Sequence, residues 1–219
     1  GTGAVSLDAQ GRLFGVQRTC TDPGRPFYQS CQLLTNVAIL APEHRLLANS
    51  FADGRPLGRV NDVMADDRGG AYFTVTGAYH VSAQGVVSVV AEQDLHANGI
   101  VFDVQPDGST RNRRDFGLLA GDKGADGMAI DNEGRLYVTA SQGVHVLSAE
   151  GAHLGLIPTP RAPISLCFSG PDKRTLYVAQ MGAVGPDGKP WSTPPGVRNT
   201  AMTLYRLPLL AAGFKGRPK

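Results

Sequence analysis

Three stretches of the chain place polar side chains immediately before an apolar run: Arg59-Val60-Asn61-Asp62, His96-Ala97-Asn98-Gly99-Ile100 and Ala125-Asp126-Gly127-Met128. Amide and carboxylate oxygens are hard donors, the kind that Ca2+ or Mg2+ takes. Brought together, Asn61, Asn98 and Asp126 would make an oxygen-lined metal site. Each residue also has an ordinary explanation. Asn and Asp before Gly are common turn formers, and the stem of Arg59 can cover an apolar edge. The matched placement of the three stretches is what favours the chemical reading, so the elements that create it matter most.

That placement follows from a repeat. The segments 5–16 (VSLDAQGRLFGV), 63–75 (VMADDRGGAYFTV) and 128–140 (MAIDNEGRLYVTA) share one template: apolar residues, Asp, two variable positions, Gly, then a strand carrying an aromatic. Segment 166–179 (LCFSGPDKRTLYVA) is a looser copy with a longer turn. Asp-x-x-Gly predicts a tight turn, Gly supplying positive φ and Asp bonding the turn backbone, so each copy is a β-hairpin. Segment 143–158 predicts a further hairpin turning at Ala149-Glu150-Gly151. Two hairpins make a four-stranded sheet, and such sheets recurring every ~40–50 residues are the blades of a β-propeller. The expected fold is therefore all-β, one propeller domain over residues 1–219, with the polar residues at the starts of innermost strands, beside the channel. Tyr137 and Tyr177 are 40 residues apart, one blade, whereas Asp66 and Asp131 are 65 apart, which fits neither one blade nor two. The expectation is that strands or loops are absent near 100/101 and near 76/77, together with part of a first blade.

The stretches RVND (59–62), ANGI (97–100) and ADGMAIDNEGRLYVT (125–139), followed by a Gly-Val hairpin and TLYVA, resemble the SMP-30/gluconolactonase/LRE family from about residue 45 to 207. The resemblance implies a six-bladed propeller with one divalent cation in its channel, Ca2+ first, with Zn2+ or Mg2+ as alternatives, and hydrolysis of a lactone. It implies Asn98 and Asp126 as metal ligands, Asn61 as a channel residue touching substrate or metal, and Arg59 as a substrate-binding arginine. Asp126 would also serve as general base, a catalytic role. The family's first ligand is a Glu in an early Glu-Gly-Pro motif. This chain has no such motif, and Glu43 and Glu92 lie in the wrong parts of their blades. An esterase or organophosphatase on the same scaffold, or a propeller that only binds its ligand, are the rival readings.

Bulk properties narrow the remaining classes. With 21 Lys and Arg against 19 Asp and Glu, interspersed, there is no basic block to bind nucleic acid, and no apolar run approaches the ~20 residues of a membrane span. The expected partner is a small lactone or ester; the oligomeric state and the compartment, cytoplasmic or exported, are left open. Cys20 and Cys31 flank a Pro/Gly loop and could pair in an oxidising compartment, while Cys167 reads as core. His80 and His145 alternate within strands and read as sheet-surface residues. His44 and His153 read as loop or hairpin residues, and His96 as a rim residue beside the site. Trp191 falls in a Pro/Gly-rich loop at 185–196, and no Ser stands in a Gly-x-Ser-x-Gly context.

Overall fold

Short alternating runs punctuated by Gly, Asp and Pro fold into antiparallel strands, and among the described residues there is no helix. The structure, a computed structural model, describes residues 2–18, 34–91, 99–100, 116–122, 124–196 and 201–214. These fall into two compact units, residues up to 113 and residues 114–215.

The first unit holds two four-stranded meanders. One runs β1 (Thr2–Leu7), β2 (Leu13–Gln17), β3 (Asn36–Ala41) and β4 (Arg45–Ala48). The other runs β5 (Val63–Ala65), β6 (Ala71–Thr74), β7 (Ala78–Val81) and β8 (Val87–Ala91). The second unit holds a four-stranded meander, β9 (Met128–Ile130), β10 (Leu136–Ala140), β11 (Gly143–Leu147) and β12 (His153–Pro158). Beside it lies a three-stranded one, β13 (Pro163–Ser169), β14 (Thr175–Met181) and β15 (Met202–Pro208). In every sheet the strands pair in chain order, the arrangement of propeller blades. The described residues thus give four blade-like sheets, against the six that the resemblance implies.

The copies of the repeat close in the same way. Asp8 Oδ1 accepts the N–H groups of Gln10 and Arg12, Asp66 Oδ1 those of Arg68 and Gly70, and Asp131 Oδ1 those of Glu133 and Arg135. The Gly that ends each turn has φ of 77°, 91° and 79° at Gly11, Gly69 and Gly134, a conformation that costs glycine little. The second carboxylate oxygen is then free to bind a side chain. Arg12 Nε donates to Asp8 Oδ2 (2.5 Å) and Arg135 Nε to Asp131 Oδ2 (2.7 Å). In the middle copy Gly70 stands where the others have Arg, and His80 Nε2 reaches Asp66 Oδ2 instead (2.7 Å). A Cβ at position 70 would lie 2.6 Å from that same oxygen, so glycine makes room for the histidine. His80 is therefore half-buried and partnered rather than a plain surface residue.

Of the first strands, β5 is covered on both faces and reads as an unbroken apolar run, with Val63, Met64 and Ala65 all buried, whereas β1 leaves Val5 and Leu7 exposed. Outer strands alternate or lie open, as β15 does. In the first unit Phe14, Val16, Val37 and Ile39 pack with Val63, Phe73 and Tyr79, and Ala65 N–H donates to Ser6 Oγ (3.1 Å). In the second, Tyr137 meets Phe168 edge-on, centroids 5.0 Å apart.

Several expectations need correction. Positions 76/77 are no gap: β6 and β7 are joined by a tight turn in which Val75 N–H donates to the Gly77 carbonyl (3.1 Å). Cys167 is half-buried, because strand alternation turns Leu166 and Phe168 inward and Cys167 to the other face. Residues 183–191 form a small hairpin closed by Gly185 N–H to the Lys189 carbonyl and Trp191 N–H to the Ala183 carbonyl. Cys20, Cys31, Glu92, His96 and the 100/101 junction's second residue lie outside the described residues.

The turn carboxylates differ in what they hold. Asp131 is buried and binds two backbone N–H groups, Arg135 and the Tyr137 hydroxyl, whereas exposed Asp172 accepts Arg174 N–H in the looser copy. Asp131→Ala should therefore cost about 3–5 kcal/mol, and Asp172→Ala well under that, measured as urea-unfolding midpoints.

Candidate functional site

One backbone clasp, built twice, holds the starts of β5 and β9. In the first unit Asn61 N–H donates to the Thr74 carbonyl (2.8 Å), Thr74 N–H to the Asp62 carbonyl (3.1 Å), and Asp62 N–H to Thr74 Oγ1 (3.1 Å). In the second unit Asp126 N–H donates to the Thr139 carbonyl (3.0 Å), Thr139 N–H to the Gly127 carbonyl (2.9 Å), and Gly127 N–H to Thr139 Oγ1 (2.7 Å). Asn61 and Asp126 thus occupy the same backbone place in their sheets, as the repeat predicts. The threonine hydroxyl caps an N–H that the short inner strand leaves without a ladder partner.

Around the first clasp, Arg59 is exposed and Asn61 half-buried. Sequence reasoning missed two residues that set this corner. Arg18 Nε donates to the Val60 carbonyl (2.6 Å), and its Nη2 to the Asn61 carbonyl (2.9 Å) and to Asn61 Oδ1 (3.3 Å). Its path crosses Gly3, where a Cβ would stand 2.6 Å from Arg18 Nε. Asp62 splits its carboxylate between Val63 N–H (2.9 Å) and Ile100 N–H (2.9 Å). Ile100 packs on Met64 and Tyr72, so the end of the Ala-Asn-Gly-Ile motif is fastened to this sheet. Asn98 itself lies outside the described residues.

In the second unit Asp126 is half-buried, and its backbone has little freedom. The next residue, Gly127, lies so close to β13 that a Cβ would stand 2.7 Å from Ser165 Cα and 2.9 Å from the Ile164 carbonyl oxygen. Upstream, Asp122 accepts hydrogen bonds from the Ser141 hydroxyl, from Gln142 N–H (3.0 Å) and from His145 Nε2 (3.0 Å). The Ser141 hydroxyl, then His145, hold the Asp122 carboxyl down at about 2. Asp66 is also held below the usual range: burial acts to raise it, but His80 and the N–H groups of Arg68 and Gly70 outweigh that. His145 corrects the expectation of a sheet-surface residue. It is fully buried, because Asp122 comes in from a segment distant along the chain and covers it.

The donor chemistry of Asn61, Asn98 and Asp126, two amide oxygens and a carboxylate, fits a hard cation better than a soft one. Among the described residues no group of three or more His, Cys, Asp or Glu could hold a metal ion.

Residues 95–182 match the model of the SMP-30/Gluconolactonase/LRE-like region, so the resemblance read from the sequence holds over the stretch that contains Asn98 and Asp126. Regucalcin of Xenopus laevis is 40% identical over 76 residues, 32% of this chain and 25% of that protein. Pentonolactonase XacC of Haloferax volcanii is 33% identical over 91 residues, 40% of this chain and 31% of that protein. The matched stretches thus span under a third of each of these relatives' own length. Among solved structures, a calcium-binding protein, regucalcin, from Agrobacterium tumefaciens shares the fold with a TM-score of 0.58 at 19% identity, covering 85% of this chain and 70% of that one.

Two outcomes follow from this geometry. Thr139→Val keeps the shape but strands the Gly127 N–H, and should cost about 1–3 kcal/mol in chemical denaturation. The folded Asp122 value of about 2 lies below its ordinary 3.8, so its stabilising contribution is complete above pH 3.8 and is lost as pH falls to 2. Across that window the denaturation midpoint of the wild type should fall more steeply than that of Asp122→Asn.

Proposed function

We propose that this chain, whose residues 95–182 carry an SMP-30/Gluconolactonase/LRE-like region, belongs to a six-bladed propeller hydrolase that opens lactone rings. The observation that carries the reading is the twinned clasp. Asn61 and Asp126 stand at one repeat position, fixed by the same three hydrogen bonds, and Asp126 falls within the family-matched region. The names of relatives agree with it: one is a pentonolactonase and one a calcium-binding protein.

Asn98 and Asp126 would hold a divalent cation, Ca2+ first by donor type, with Zn2+ or Mg2+ as alternatives. When bound, such an ion supplies charge that polarises a carbonyl and acidifies a water. The chain's own residues do the rest. Asp126 takes a proton from the attacking water through a carboxylate oxygen. The water oxygen bonds to the lactone carbonyl carbon, the ring C–O bond breaks, and the proton passes to the leaving alkoxide, giving a hydroxy acid. Arg59, exposed beside the clasp, would bind the hydroxyl groups of a sugar-like lactone. Arg18 donates to Asn61 Oδ1, which leaves the Asn61 amide nitrogen to donate to substrate. A guanidinium on that oxygen favours the substrate side for Asn61, with a place among the metal ligands as the alternative.

The test is hydrolysis of δ-gluconolactone and pentonolactones by the full-length protein with Ca2+, Zn2+ or Mg2+ supplied. The wild type should be active and lose activity to a chelator, and Asp126→Ala should lower kcat by about 10²–10⁴-fold with the fold intact. A wild type inert towards every lactone with every ion refutes the reading.

A further inference from the structure

The stretches 116–122 and 124–127 carry no strand, yet they deliver Asp126 to the start of β9, and they are tied down at three places. At the first, Gly117 and Gly151 pass so closely that a Cβ on Gly117 would stand 2.4 Å from the Gly151 carbonyl oxygen. At the last, the Thr139 clasp holds Asp126 and Gly127. Between them stands Asp122, with Gly124 at φ 92° on the way to Asp126.

The partners of Asp122 all come from one hairpin. Ser141 and Gln142 form the turn between β10 and β11, and His145 lies on β11. Gln142 adds a second tie, its Nε2 donating to the Gly121 carbonyl (2.9 Å). Thr139, which holds the backbone of Asp126, is on β10 of the same hairpin. One rigid element therefore grips the arm at both 122 and 126. The grip is also directional. His145 commits its Nε2 proton to the carboxylate, so its Nδ1 in the neutral ring has to accept, and His153 Nε2 donates to it across 2.9 Å. Asp122 thereby sets the tautomer of a fully buried histidine and the hydrogen-bond direction of the pair.

We propose that Asp122 is a positioning residue for Asp126: by docking on the β10–β11 hairpin and locking the His145–His153 pair into one orientation, it fixes where the Asp126 carboxylate points. The activity readout rests on the lactonase reading above, while the structural readouts do not. A misplacement on the order of 1 Å at a reacting group lowers kcat far more than it alters binding.

Three variants of the full-length protein test this. Asp122→Ala should lower kcat on δ-gluconolactone by about tenfold to a hundredfold with KM little changed, and should speed amide hydrogen exchange at 121 and 126. Asp122→Asn should recover most of the lost rate, because an amide oxygen in the place of Oδ2 still accepts from Gln142 N–H and His145 Nε2, while its NH2 meets the Ser141 hydroxyl oxygen. Nitrogen-15 NMR reads the lock: an Nε2-protonated His145 in the wild type and in Asp122→Asn, and a mixture of tautomers in Asp122→Ala. His153→Ala, which unpairs His145 Nδ1 but leaves Nε2 on Asp122, should keep the wild-type tautomer and lower kcat less than Asp122→Ala does. Unchanged kcat in Asp122→Ala, or an Asp122→Asn variant as slow as Asp122→Ala, overturns the proposal. If the wild type opens no lactone, the lactonase reading falls by itself, and unaltered exchange in Asp122→Ala or an Nδ1-protonated His145 in the wild type then overturns the positioning role.

Discussion

A carboxylate that accepts two backbone N–H groups across a four-residue turn is the interaction on which these sheets are built. Asp8, Asp66 and Asp131 each do this with one oxygen. The turn closes β1 onto β2, β5 onto β6 and β9 onto β10, the innermost hairpin of each sheet. Because the N–H groups of a tight turn have no ladder partner, an anionic acceptor satisfies them and fixes the turn. The second oxygen then reaches a side chain, Arg12, His80 or Arg135, and ties the turn to the strand behind it.

With the inner hairpin fixed, the residue that precedes it is fixed too. Thr74 and Thr139 sit one strand away from Asn61 and Asp126 and are almost wholly buried. Each gives its carbonyl to the polar residue's N–H, and its own N–H and hydroxyl oxygen to the residue after it, so the chain enters the sheet held at two successive residues. A side chain carried on such a backbone starts from a fixed Cα and a fixed strand direction. This is what a binding or catalytic group on a loop needs from the scaffold beneath it.

The two clasps are then refined by different means. The first is set by charge: Arg18 lies on two carbonyls and the Asn61 amide, and Asp62 fastens the Ile100 segment. The second is set by close approach and by a buried polar chain. Gly127 presses on β13, and Asp122, His145 and His153 run in sequence beneath the arm. Both solutions keep one polar side chain at the strand start while satisfying everything around it.

The chain's own letters determined the repeat, the all-β class, the hairpin turns and the places of Asn61 and Asp126, because these rest on local facts. A two-residue alternation, an Asp-x-x-Gly spacing and a glycine at positive φ act within a few residues of each other. The resemblance carried by residues 125–139 added the expected chemistry. Tertiary structure alone decided which groups surround those positions. Arg18 reaches Val60 across 42 residues, Asp62 reaches Ile100 across 38, and Asp122 reaches His145 across 23. No periodicity encodes such pairs, so His145, outward-facing by alternation, proved buried once another segment was laid over it. Alternation assigns a side chain to a face of its sheet; what covers that face depends on where the rest of the chain packs.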